Sequence, residues 1–137
     1  MNASRKSVRL GTIIASRTLR EADGARVTVQ FGRHRRSDKD WLCPFRIVGL
    51  NNDVVRRAYG VDSLQALQLA IDAARAIVRS CGRPLNWLGH SDLGFGRTVP
   101  GFIGQRRVDR LDRAIDREVK LWGHAIRRRA QAKANQR

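Results

Sequence analysis

Residues 59–84 read YGVDSLQALQLAIDAARAIVRSCGRP, and this stretch decides the architecture. Gly60 permits a tight turn from a strand into a helix. Asp62 stands at the N-cap position and Gln65 three residues on, a pair resembling a capping box. Apolar residues then recur at Leu64, Leu67, Ile71, Ala74, Val78 and Cys81, a spacing that gathers them on one helical face. Ala66 is small enough to let the helix approach its neighbour closely. Gly82 and Pro84 end the element. Its flanks carry few charges, so this helix has to pack on a sheet, and the sheet has to come from the residues before it.

Those residues supply strands. LGTIIASRTLR, residues 10–20, is rich in β-branched side chains. Asp23-Gly24 is a hairpin signal. Ala25, Val27, Val29 and Phe31 then alternate with Arg26, Thr28 and Gln30, the pattern of a half-buried antiparallel strand. Residues 32–40 (GRHRRSDKD) read as a polar, basic loop. Trp41 to Leu50 is a third strand with Trp41, Cys43, Phe45 and Ile47 on one face, and Pro44 inside it calls for a bulge or an edge position. Asn51-Asn52-Asp53 is a turn, and Val54 to Tyr59 a short fourth strand holding Arg56 and Arg57. The expected fold is α+β: an antiparallel meander of three to four strands on one main helix. Val27, Val29, Phe31, Phe45, Ile47, Leu67, Ile71 and Val78 should share its core.

Downstream, residues 85–105 are apolar and glycine-rich without a period. Trp87, Leu88, Leu93, Phe95, Phe102 and Ile103 are too apolar for a free linker, so an ordered loop folded back on the domain is expected. From Arg106 a helical stripe resumes at Val108, Leu111, Ile115, Val119, Trp122 and Ile126, with Asp109–Arg113 and Asp116–Lys120 as i,i+4 pairs. The stripe is narrow for a buried helix; it either docks on the Trp87/Phe95 loop or pairs with another chain. After Ile126 the chain becomes a basic tail expected to fray. The organisation is thus a basic arm over 1–9, an α+β domain over 10–105, and a basic helix and tail over 106–137.

The segments WLCPFRIVGL (41–50), YGVDSLQALQLAIDAAR (59–75) and NWLGHSDLGF (86–95) resemble a family of small uncharacterised bacterial domains. In that family a β-meander precedes a G-x-D-S-x-Q-A-L helix and a short W-x-G segment. The resemblance covers roughly the first two-thirds of the chain, and Gly60 to Leu67 is its most specific part. It implies the fold. The family has no assigned activity, so it implies no chemistry, and every residue of the motif has a structural task.

Composition narrows the partner. The 137 residues carry 28 Lys and Arg against 12 Asp and Glu, a net charge of +16, with a pI of about 11.7. Such an excess favours a polyanion. Cys43 and Cys81 are too few for a disulfide framework or a four-cysteine zinc site and read as small hydrophobes. No apolar run is long enough to span a bilayer, and the polar N-terminus lacks the features of a secretory signal, which places the protein in the cytoplasm. No H-x-x-x-H, G-x-S-x-G, G-x-G-x-x-G or P-loop occurs. No catalytic residue, cofactor or metal is therefore expected; His90, Asp92 and Arg97 would be the parts of a loop-assembled site if there were one.

What remains is positive charge: Arg26 and Arg46 on the sheet face away from the helix, Arg33, Arg35, Arg36 and Lys39 in the loop, and Arg127, Arg128 and Arg129 in the tail. The outward positions Arg26, Thr28 and Gln30 include no aromatic residue, so the stacking platform of RNA-recognition sheets is missing. The expected function is non-enzymatic contact with a nucleic-acid backbone, without sequence specificity. The alternative is an inhibitor or immunity-type module for an acidic protein.

Overall fold

The structure is a computed structural model describing residues 8–96, 99 and 101–136; most of the arm, and Arg97, lie outside these. The chain forms two compact units, Met1–Thr98 and Val99–Arg137. The first holds strands β1 (Ile13–Arg20), β2 (Arg26–Gly32), β3 (Arg35–Ser37), β4 (Asp40–Val48) and β5 (Arg56–Gly60), then helix α1 (Ser63–Ser80). The second holds one 3-10 turn, Gly101–Ile103, and helix α2 (Gln105–Ala134). The class is α+β, with one antiparallel sheet.

The region expected as a loop over 32–40 is folded. Phe31 pairs with Phe45, whereas Arg35 pairs with Leu42. Gly32, Arg33 and His34 thus oppose only Cys43 and Pro44, which is a β-bulge. β2 and β3 are two halves of one bent strand, and Asp38, with φ of 49°, turns it tightly into β4. Pro44 does sit opposite a bulge, but β4 is no edge strand: Pro44 pairs with Arg57 of β5 on its other side. Lacking an N–H, proline leaves no donor unpaired where the bulge interrupts the ladder. A Cβ on Gly32 would stand 2.0 Å from the Leu10 carbonyl oxygen and 2.9 Å from Pro44 Cγ, so the segment before β1 crosses the sheet there and Leu10 is buried.

The core joins Leu19, Val27, Val29, Phe31, Cys43, Phe45 and Ile47 of the sheet to Ala66, Ala70, Ala74 and Val78 of α1. The strand face is as expected; the helical face is rotated. Leu64 is 62% exposed, and Leu67 and Ile71 are half-buried at the rim. Proximity is the reason. A Cβ at Gly60 would lie 2.3 Å from the Ala66 nitrogen, so the helix rests nearly backbone to backbone on β5. Only a ridge of alanines at i,i+4 fits beneath it, and larger side chains are displaced sideways. Asp62 is the N-cap: its Oδ1 accepts from the Gln65 amide at 2.7 Å. Gln65 Oε1 in turn accepts from the Val61 amide at 2.8 Å.

The segment after α1 folds back, as expected. Asn86 exchanges both backbone hydrogen bonds with Arg20, at 2.8 and 2.9 Å, and Leu85, Trp87, Leu93 and Phe95 join the core. Leu88 and Phe102, by contrast, are exposed. Arg17 lies opposite Val29 and so faces inward, where aromatic rings enclose it. Its Cζ is 4.2 Å from the Trp87 ring centre and 4.8 Å from that of Phe95, and Nη1 donates to the Leu93 carbonyl at 3.2 Å. Gly94, at φ of +70°, lies against Trp87 with no room for a Cβ, which would come within 2.4 Å of the ring. Arg83 binds the Glu21 carboxylate and the Gly49 carbonyl.

In the second unit α2 runs unbroken to Ala134, so the tail after Ile126 is helix rather than frayed coil; Ala, Gln, Arg and Lys there are good helix formers. Asp109 accepts from Gln105 Nε2 at 2.7 Å instead of pairing with Arg113, and Asp116 and Lys120 do not meet. None of its described residues is buried.

Candidate nucleic-acid interface

Alternation along each strand sends every second side chain to the face opposite α1, and the register shows which of them are neighbours. Arg20 stands across from Arg26, Thr18 from Thr28, and Ser16 from Gln30. Gln30 stands across from Arg46 and Thr28 from Val48. On β5 the same face carries Arg57, opposite Pro44, and Tyr59, opposite Leu42. Arg26 and Arg46 therefore do share the open face, as alternation implied. Asp40, which shares a register position with Ser37, is the one acid that strand alternation puts there among the described residues.

The face is partly preorganised. Arg46 Nε and Nη2 both donate to Gln30 Oε1, at 3.2 and 2.8 Å, which ties the guanidinium to its cross-strand neighbour. The Thr18 and Thr28 hydroxyls are 3.3 Å apart. Arg57 Cζ lies 5.8 Å from the Tyr59 ring centre. The Arg20 and Arg26 guanidiniums have no protein partner among the described residues. Like charges directly across a ladder destabilise the pair, and here nothing in the face compensates them.

The face is not free of aromatics: Tyr59 stands on it, 43% exposed. Its position depends on pairing with Leu42, a register that pattern alone does not reveal. Arg20 and Arg57 were likewise legible only as strand residues, because which face they occupy follows from their partners. One ring is still short of a platform that stacks successive bases.

The basic hairpin is less uniform than its composition. Arg35 and Arg36 point to opposite faces, as neighbours in a strand must. Arg35 Nη1 and Nη2 both donate to the Arg9 carbonyl at 3.3 Å. Arg36 lies over the Trp41 ring at 5.6 Å, and Trp41 also meets the His34 ring edge-on at 5.7 Å. Arg33 and Lys39 are exposed without such contacts. Arg127, Arg128 and Arg129 are exposed in the last turns of α2, successive positions that fan around the helix, and Arg127 Nη2 is 3.2 Å from His124 Nδ1.

Other chemistry is sparse among the described residues. His90 is exposed, its backbone paired with Trp87, and Asp92 accepts from the Gly94 amide at 2.9 Å. No group of three or more His, Cys, Asp and Glu is placed to hold a metal ion. Burial raises the Cys43 thiol pKa to about 11, which keeps it protonated and inert at neutral pH. A cavity of about 600 Å³ beside the end of α1 is lined by Arg75, Arg79, Arg83, Ser91 and Asp92; the flank arginines behind it gave no sequence signal beyond their charge. No described helix is long and apolar enough to cross a membrane.

The fold and its open face define a small α+β domain with a basic, hydroxyl-bearing sheet surface. The chain belongs to the family described as Domain of unknown function (DUF6968), matched over residues 15–98. That span takes in the sheet, α1 and the segment folded back over the core. No curated protein matches the chain, and no solved structure matches it.

Proposed function

We propose that this protein is a non-enzymatic bacterial cytoplasmic protein that binds nucleic-acid backbone through the open sheet face. The carrying observation is the Arg20–Arg26 pair: two like charges directly opposed, unpartnered, in a face that also holds Arg46 and Arg57. Phosphates set between such guanidiniums would turn a repulsion into charge-assisted hydrogen bonds. The threonine and serine hydroxyls of β1 and β2 are further donors to phosphate oxygens, and Arg33, Lys39 and the Arg127–Arg129 run add charge from the hairpin and from α2. Tyr59 offers one ring for one unstacked base, which favours single strands modestly without reading sequence.

The test is titration of labelled DNA and RNA, each single- and double-stranded, over a range of salt. Affinity should fall steeply with salt, because each neutralised phosphate releases counterions, and should tolerate changes of sequence. Arg20→Gln with Arg26→Gln should lower the log–log salt slope by about 2 with the melting temperature unchanged or raised. Binding no tighter than that of an unrelated protein of equal net charge would overturn the reading and direct the search to an acidic protein partner.

A further inference from the structure

Helix α2 exposes an apolar stripe with a repeat of its own. Val108, Leu111 and Ile115 recur eleven residues later as Val119, Trp122 and Ile126. An eleven-residue period keeps a stripe nearly straight along a helix and is the pattern of right-handed helix pairing. Leu111, Ile115, Val119, Trp122 and Ile126 are between 42% and 68% exposed. Six large apolar side chains in line on a 30-residue helix form a continuous apolar strip, whereas singly scattered ones would need no explanation.

The residues bordering the stripe say what covers it. At 3.6 residues per turn, Asp112 and Asp116 fall along one border and Glu118 along the other. Arg127 falls on the first border and Arg129 on the second, about three to four turns further on. From Val119 onward α2 carries Lys120, Arg127, Arg128, Arg129 and Lys133 and no acid. We infer that α2 pairs with α2 of a second copy of this chain, antiparallel, about a two-fold axis beside Trp122 and Gly123.

That axis sets Val119 against Ile126 and Ile115 against Ala130 of the second copy. In an antiparallel pair each border meets its own equivalent. Asp116 therefore meets Arg127, Glu118 meets Arg129, and Asp112 comes within reach of Lys133, each contact occurring twice. Gly123, Ala114, Ala125, Ala130 and Ala132 occupy the remaining border positions, so the two backbones approach closely where the Trp122 rings meet. A parallel pair in register would instead bring the two opposite borders together, setting Asp116 near Glu118 and Arg127 near Arg129. An anionic membrane suits the strip worse, because Asp112, Asp116 and Glu118 would face the lipid headgroups at its edge.

Sedimentation equilibrium of the full chain after nuclease treatment tests this apart from any nucleic-acid binding. A concentration-dependent dimer is expected. Asp116→Lys with Glu118→Lys should raise the dimer dissociation constant roughly tenfold or more. Adding Arg127→Glu and Arg129→Glu to that variant should restore most of the affinity, which a merely unfolded helix would not allow; circular dichroism checks the helix content. Orientation is read by crosslinking in a Cys81→Ser background with diamide as oxidant. Trp122→Cys or Gly123→Cys should give an intermolecular disulfide, and Leu111→Cys, which lies opposite Ala134, should not. A monomer at every concentration, a dimer indifferent to the charge reversals, equal crosslinking at all three positions, or a chain that stays monomeric and instead binds anionic vesicles through this face would each overturn the proposal.

Discussion

The α-carbon of Gly60 backs directly onto the amide of Ala66: a methyl group there would stand 2.3 Å from that nitrogen and 2.8 Å from the Gln65 carbonyl carbon. The contact is with backbone, which cannot rotate away. Gly60→Ala must push α1 off the sheet and should cost about 1–3 kcal/mol, as overpacking does. Leu64→Ala, four residues on and largely exposed, should change stability by less than about 0.5 kcal/mol. Urea melts of the two variants check the contrast, and equal losses would show that the helix does not approach β5 as described.

Asp62 and Gln65 cap α1 by exchanging side-chain acceptors. Asp62→Ala should destabilise by about 0.5–2 kcal/mol, and Asp62→Asn by less, since asparagine is as good an N-cap. Gln65→Ala should unprotect the Val61 amide in hydrogen exchange while leaving the end of α1 at Ser80 unchanged. A uniform loss of protection along the helix would contradict a local cap.

Arg17, stacked between Trp87 and Phe95, holds the segment after α1 against the sheet. Arg17→Met keeps the stem and removes the charge. It should cost about 1–2 kcal/mol through lost cation–aromatic contacts and the lost hydrogen bond to Leu93. The loss should concentrate in residues 86–95, read as faster proteolysis or exchange there than in β2 and β4. Arg17→Lys should recover only part, because ammonium lacks the flat face that lies between two rings.

The Cys43 thiol, raised from 9.0 to about 11 by burial, makes stability depend on pH at the alkaline end. Below pH 9 the thiol is neutral in both the folded and unfolded chain, so its contribution there is constant. Between about 9 and 11 the unfolded chain ionises first, so stability should fall with rising pH by at most about 1.4 kcal/mol per unit from this group. Cys43→Ala should flatten that fall relative to wild type, and in the native protein Cys81 should be alkylated well before Cys43.

Strand alternation in residues 25–31 and the Asp62 cap were legible because each is a local rule with one answer. The rotation of α1 was not. Counting leucines and isoleucines favours the face with the largest side chains, but burial depth here is set by how closely Gly60 lets two backbones approach. The bulge at Arg33-His34 was hinted at by Pro44, while the sheet nature of the surrounding basic segment was hidden by its polarity. On the candidate interface, Arg26 and Arg46 could be placed from period alone. Tyr59, Arg20 and Arg57 needed the pairing of β5 and β1, which is tertiary information.

Arg83 joins the Glu21 carboxylate, just after β1, to the Gly49 carbonyl, at the end of β4, from a position beyond α1. Three stretches far apart in sequence meet at one guanidinium, so that corner cannot close piecemeal. Both hairpins and the helix have to be in place before the side chain finds its two acceptors, and loop closure over such separations carries its entropy cost before the contact gives any return. The corner is therefore a late event in folding and the first place for the native state to open. A mutation at Arg83 should speed unfolding far more than it slows folding.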